Sequence, residues 1–117
     1  MANSKRYRHV IHPEVANDIR DLPDPDTKLL ALNTIKGIVT GKLKGAALEN
    51  RRATGDLSEC KKVLFDTRGD IAPRFRVVYR QVDNLVDVIM IEVLSVGDRF
   101  ELEAYIKAAL RLKGFSS

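Results

Sequence analysis

The sequence predicts an α+β fold in which a two-helix hairpin packs on a four-stranded, mainly antiparallel sheet and a C-terminal helix follows, in the order β-α-α-β-β-β-α. Three observations carry that expectation. Between Pro13 and Gly41 apolar residues recur at helical spacing, and a break at Pro23–Asp24–Pro25 divides the stretch in two. From Cys60 onward the apolar period falls to two, as in strands that bury one face. A near-continuous aliphatic run from Leu85 to Val96 then leads into a last amphipathic stretch.

Each element has its own signals. Lys5 to His12 is short, with weakly alternating Tyr7, Val10 and Ile11, and reads as a strand ended by His12–Pro13. Pro13 suits a first helical position, and Val15, Ile19 and Leu22 form one apolar face up to Pro23. Asp24 is placed to cap a second helix, with Pro25 at its first position and Asp26 near the positive end of the dipole. Leu29, Leu32, Ile35 and Val39 are expected to form its inward stripe, and Gly41 to end it. Lys42 to Ser58, with Gly45, Gly55 and the basic pair Arg51–Arg52, reads as a surface connection.

The second half alternates. Cys60 to Asp66 puts Val63 and Phe65 on one side and Lys62 and Leu64 on the other. Thr67–Arg68–Gly69–Asp70 turns the chain into Arg74 to Gln81, where Phe75, Val77 and Tyr79 point one way and Arg74, Arg76, Val78 and Arg80 the other. Asp83–Asn84 reads as another turn, and the run beyond it suits an interior strand covered on both faces. Asp98 is a candidate cap for the last helix, in which Leu102, Tyr105, Ile106 and Ala109 share a face and Lys107, Arg111 and Lys113 suit the negative end before Gly114. With the N-terminal helices on one face of the sheet, the other face is expected to stay partly open.

Composition bounds the function. The length suits one domain over residues 1–117, ordered over about 5–113. Hydrophobic residues at 44% and charged residues at 31% exclude a disordered chain, and the lack of Trp implies a mainly aliphatic core. The net charge is +4, with acidic residues concentrated in the first helical stretch and Lys and Arg gathered between Arg51 and Arg80. That basic centre suggests a phosphate-bearing or acidic partner. A lone Cys60 excludes an intramolecular disulfide or a multi-cysteine metal site, and no metal or small-molecule cofactor is expected. The N-terminal MANSKRYRHVIHP lacks the apolar core of a signal peptide, and no apolar run is long enough to span a membrane. A cytoplasmic location without a membrane partner is therefore expected.

The open face concentrates cations. Alternation places Lys62 on one strand and Arg74, Arg76 and Arg80 on its neighbour, away from the core of Val63, Phe65, Phe75, Val77 and Tyr79. Like charges on adjacent strands cost stability unless something compensates them, and a polyanion is one such source. Arg99 opposes the dipole at a helix start, which favours function over structure. Tyr105 suits either packing or a functional ring. Glu92, within an apolar strand, is a candidate buried partner for one of the arginines. His9 and His12 have no carboxylate or cysteine at ligand spacing and read as surface or helix-start residues.

The stretches ECKKVLFDT, PRFRVVYRQVDN and VIMIEVLSVGDRFELEAYIKAALRL resemble the C-terminal half of RelE-type toxins of the RelE/ParE superfamily, and the strand-helix-helix start fits as well, so the resemblance spans about residues 5–113. The matching elements are Phe75–Arg76–Val77–Val78–Tyr79, Val96–Gly97–Asp98–Arg99, and Tyr105 six residues after that arginine. The resemblance implies the toxin of a type II toxin–antitoxin system. Such a toxin is a metal-independent endoribonuclease that cuts mRNA on the ribosome, using the substrate 2′-hydroxyl, until a cognate antitoxin sequesters it. By the same resemblance Lys62 is similar to the general base and Arg76 to a phosphate-contacting arginine. Arg99 is similar to the arginine that stabilises the transition state or protonates the leaving group, and Tyr105 to a tyrosine that stacks on a nucleotide. Arg74, Arg80, Arg51 and Arg52 would add RNA contacts. Leu64 stands where RelE has a second lysine. The superfamily also holds ParE-type gyrase inhibitors, so gyrase inhibition, or binding of antitoxin or RNA without catalysis, are the alternatives.

Overall fold

The computed structural model describes residues 5–48, 59–69, 72–85, 87–98 and 103–116. Strand β1 (Arg6–Ile11) turns at His12, whose Nδ1 accepts the Glu14 N–H at 3.1 Å, into α1 (Val15–Arg20). Helix α2 (Pro25–Val39) starts as the sequence anticipates: the Asp24 carboxylate accepts the Thr27 N–H at 2.8 Å and Pro25 holds the first position. It ends at Gly41, whose φ of +78° favours glycine, and where a β-carbon would collide with the Tyr7 ring.

Among the described residues the sheet has five strands rather than four, in the spatial order β1-β5-β4-β3-β2. The additional strand, β2 (Ala46–Ala47), lies inside the expected surface connection and pairs with Lys61–Lys62. So short a strand carries no period to read. The Tyr79 hydroxyl accepts the Gly45 N–H at 2.8 Å and so fastens this loop to the sheet; burial pushes the phenol's pKa up. Strands β3 (Cys60–Phe65), β4 (Phe75–Leu85) and β5 (Val88–Asp98) form the expected antiparallel meander, and β1 joins β5 in parallel. Asp83–Asn84 does not turn: β4 continues through it, and the reversal falls after Leu85, with Asp87 at φ +62°. Asp98 is the last residue of β5, not a helix cap, and α3 (Glu103–Ser116) begins later.

The sheet carries a core on each face. On one, Val15, Leu22, Ala31, Ile35 and Ile38 pack against Phe65, Phe75, Val77, Tyr79, Ile91, Val93 and Val96. On the other, Ala104, Tyr105 and Ala108 of α3 pack against Leu48, Cys60, Val78 and Leu94. The face expected to stay partly open is thus covered by α3 over β4 and β5. A register shift makes both cores possible. Val78 pairs with Ser95 but Tyr79 with Val93, so Leu94 and Ser95 both face α3 while Val93 and Val96 face the hairpin. Ser95 Oγ donates to the Ala104 carbonyl at 2.6 Å, fixing α3 on that bulge.

Two helix stripes differ from expectation. In α2 the buried residues are Thr27, Ala31, Thr34, Ile35 and Ile38, whereas Leu29 and Leu32 are 58% and 52% exposed. In α3 Ile106 faces outward beside the buried Tyr105, and Leu102 lies outside the described residues.

Past Ile11, β1 no longer covers the edge of β5, and side chains take over its backbone groups. The Val96 N–H donates to Asp18 at 3.0 Å, Lys107 Nζ donates to the Val96 carbonyl at 2.9 Å, and Arg111 donates to the Leu94 carbonyl at 3.0 Å. Lys107 and Arg111 both also bind the Asp18 carboxylate, which ties α1 to α3 around the sheet. Among the described residues no helix is long and apolar enough to cross a membrane.

Candidate functional site

Strands β3 and β4 place Lys62, Arg76 and Arg80 on the α3 side of the sheet, as alternation requires. Lys62 is paired with Val78 and Leu64 with Arg76. Lys62 and Arg76 are therefore diagonal neighbours on one face, with roughly 7–8 Å between them in such a register. Leu64 sits directly opposite Arg76 and is exposed.

Arg76 is tied to α3. Its Nη1 donates to the Tyr105 hydroxyl at 2.6 Å, and its guanidinium carbon lies 5.3 Å from the centroid of the same ring. Its Nε is buried and has no hydrogen-bond partner among the described residues. A buried cationic donor without an acceptor is costly. The Lys62 side chain makes no hydrogen bond or ion pair with a described residue.

Tyr105 takes a different place from the one the resemblance implies. It is only 1% exposed and packs in the core beneath α3, so its ring offers no free face for a nucleotide to stack on. What it presents is its hydroxyl, and that hydroxyl orients Arg76. The sequence carried no signal for this link, because it depends on which face of α3 meets the sheet.

The remaining predicted residues divide. Arg80 forks onto Glu92, with Nη2 at 2.8 Å from both carboxylate oxygens, and Glu92 is the buried arginine partner suggested by its apolar surroundings. That match leaves Arg80 little charge to offer an outside anion. Arg74 turns towards the end of the sheet, where Nε lies 2.6 Å from Asp98 and the guanidinium 5.0 Å from the Phe75 ring. Arg51, Arg52 and Arg99 lie outside the described residues. A cavity of about 150 Å³ beyond Arg74 is bordered by Asp18, Asp21, Asp98, Glu103 and Lys107, but not by Lys62, Arg76 or Tyr105. Among the described residues no three His, Cys, Asp or Glu side chains gather closely enough to hold a metal.

No protein-family model and no curated protein sequence matches the chain. Among solved structures it is similar to a mutant of the E. coli toxin RelE in the free state, in which two arginines are replaced by alanine. The two share 20% identity with a TM-score of 0.54, over 92% of this chain and 98% of that one. It is also similar to a chain of the toxin–antitoxin complex RelBE2 from Mycobacterium tuberculosis, with 18% identity and a TM-score of 0.52, over 80% of this chain and 99% of that one. The likeness is one of fold: this chain has a RelE-like fold.

Proposed function

We propose that the chain is the toxin of a type II toxin–antitoxin pair and acts as a ribosome-dependent mRNA endoribonuclease. The feature that supports this reading is the Arg76 guanidinium, held by the Tyr105 hydroxyl, with Lys62 beside it on the same sheet face. In RNA cleavage the 2′-hydroxyl attacks the adjacent phosphorus, the bond to the 5′-oxygen breaks, and a 2′,3′-cyclic phosphate and a 5′-hydroxyl result. Lys62 is the proton acceptor for the attacking hydroxyl, and Arg76 stabilises the charge that builds on the phosphorane oxygens. Arg99, by resemblance, would protonate the leaving oxygen. The ribosome would hold the strand in line, the part of catalysis that positioning supplies. An antitoxin would silence the site by bringing acidic residues to the same cations.

Purified protein added to a defined translation reaction, with mRNA 5′ ends mapped by primer extension, tests this. New codon-phased ends are expected, and Arg76→Ala is expected to reduce their rate by about 10²–10³-fold, the usual effect of losing one preorganised donor. Intact mRNA together with inhibited gyrase supercoiling would overturn the reading in favour of gyrase. Leu64, exposed and apolar where RelE itself has a second lysine, favours one other reading: binding of RNA or antitoxin without cleavage. Intact mRNA with uninhibited gyrase would support it.

A further inference from the structure

Helix α2 turns two leucines outward. Leu29 and Leu32 are 58% and 52% exposed, while Thr27, Ala31, Thr34, Ile35 and Ile38 take the buried positions. Pro25, Leu29, Leu32 and Lys36 follow one another at the spacing that lines a single helix face, and all four are exposed. Asp26, also exposed, flanks this stripe at its N-terminal end. Leu43 adds apolar surface near the other end: it is 42% exposed and lies so close to Gly37 that a β-carbon there would sit 2.6 Å from its Cδ1. Asp26 and Lys36 also suit the helix dipole, but the dipole asks nothing of the leucines between them. An apolar patch closed by an acid at one end and a base at the other has the anatomy of a protein contact.

The order of the stripe selects the occupant. Read along the helix it runs acid, leucine, leucine, base. A two-fold axis midway between Leu29 and Leu32 sets two copies of α2 antiparallel and brings Leu29 of each against Leu32 of the other. The same axis lays Lys36 of each copy over the first turn of the other, where Asp26 sits. The stripe is its own complement. A parallel pair would instead set Asp26 against Asp26 and Lys36 against Lys36. RNA would be repelled by Asp26 and would leave the leucines unmatched, and a lipid surface would have to bury the Asp26 carboxylate beside them. We infer that a second copy of this chain docks on the outward face of α2, as a two-fold symmetric antiparallel helix pair centred between Leu29 and Leu32. One helix laid on another buries less than about 1,200 Å², the range of weak and transient contacts, so a dissociation constant between ~10 µM and ~1 mM is expected. Lys62 and Arg76 lie on the α3 side of the sheet, away from this face, so the dimer stands or falls separately from RNA cleavage.

Analytical ultracentrifugation of the full chain from ~1 µM to ~1 mM tests the pair. The chain is expected to sediment as a monomer at the low end and to shift towards a dimer at the high end. Leu29→Gln and Leu32→Gln should each raise the dissociation constant at least about tenfold. Both should keep the thermal midpoint of the dilute parent and any mRNA cleavage it performs. Asp26→Lys alone and Lys36→Asp alone set like charges across the pair, and each should stay monomeric. Mixed in equal amounts these two variants should associate, because each end of the pair again joins an acid to a base. If Asp26→Lys folds poorly, the leucine variants still decide. The inference is overturned if the parent remains monomeric at ~1 mM, if the leucine variants dimerise as the parent does, or if the mixed charge variants associate no better than either alone.

Discussion

Replacing Tyr105 by phenylalanine separates two roles that the sequence leaves merged. Phenylalanine keeps an aromatic ring, so a tyrosine that acts by stacking on a base tolerates the change. A tyrosine that acts through its hydroxyl does not, because Arg76 Nη1 loses its acceptor at 2.6 Å. A hydrogen bond to a charged group contributes about 1.5–3 kcal/mol, and removing it frees Arg76 to leave its position. Cleavage by Tyr105→Phe is therefore expected to fall towards that of Arg76→Ala, with the double variant scarcely worse than Arg76→Ala alone. Such a cycle would give a coupling of about 0.5–3 kcal/mol. Wild-type rates in Tyr105→Phe would return Tyr105 to a stacking or purely structural role. The cations themselves were legible, since strict alternation on β3 and β4 puts Lys62 and Arg76 on one face. Their neutralisation was only half legible: Glu92 stood out as a charge in an apolar strand, whereas nothing near Arg74 pointed to Asp98, 24 residues away.

Element by element, legibility followed period and punctuation. The cap at Asp24, the stop at Gly41 and the meander were readable because each rests on local chemistry that tertiary packing does not overrule. The bulge at Leu94–Ser95 was not, because two adjacent residues facing the same side look in sequence like an unbroken aliphatic strand. The stripe of α2 failed for another reason. Leucine is the more apolar choice, but the hairpin lies so close to the sheet that Thr27, Ala31 and Thr34 occupy the inward positions, and the Thr34 hydroxyl is satisfied by the Leu30 carbonyl at 2.7 Å. Urea unfolding checks this assignment directly. Leu29→Gln and Leu32→Gln are expected to change stability by no more than about 0.5 kcal/mol, as exposed substitutions do. Ile35→Ala, on the buried face, is expected to cost about 2–5 kcal/mol. A large loss at Leu29 would mean that the helix is rotated from this position.

Across the whole molecule, the sheet is held between the helical hairpin and α3, and among the described residues the two outer layers are joined where β5 outruns β1. The inward face of α3 is rich in alanine (Ala104 and Ala108 beside Tyr105), so it buries little apolar area of its own. Asp18 compensates by binding Lys107, Arg111 and the Val96 N–H at once. Burial alone would raise the pKa of this carboxyl, yet the hydrogen bonds from Arg111, Val96 and Lys107 outweigh it and hold Asp18 below the ordinary carboxylate value. The sign of the linkage follows. With its folded pKa depressed, the carboxylate contributes stability that is fully present above the unfolded value and is lost as pH falls through the folded one. Removing one member of a buried ion cluster costs about 3–5 kcal/mol, and the lower figure applies here because Lys107 and Arg111 keep some access to water. Asp18→Asn is thus expected to lose about 3 kcal/mol near neutral pH, with α3 amides exchanging faster than those of β4 and β5. Measured against the parent from neutral to strongly acid pH, the gap should narrow only below the ordinary carboxylate range. Asp24 and Asp66, which are also depressed, titrate in both proteins and leave the difference to Asp18. A gap that stayed constant down to the lowest pH would show that Asp18 joins the layers through packing and neutral hydrogen bonds rather than through its charge.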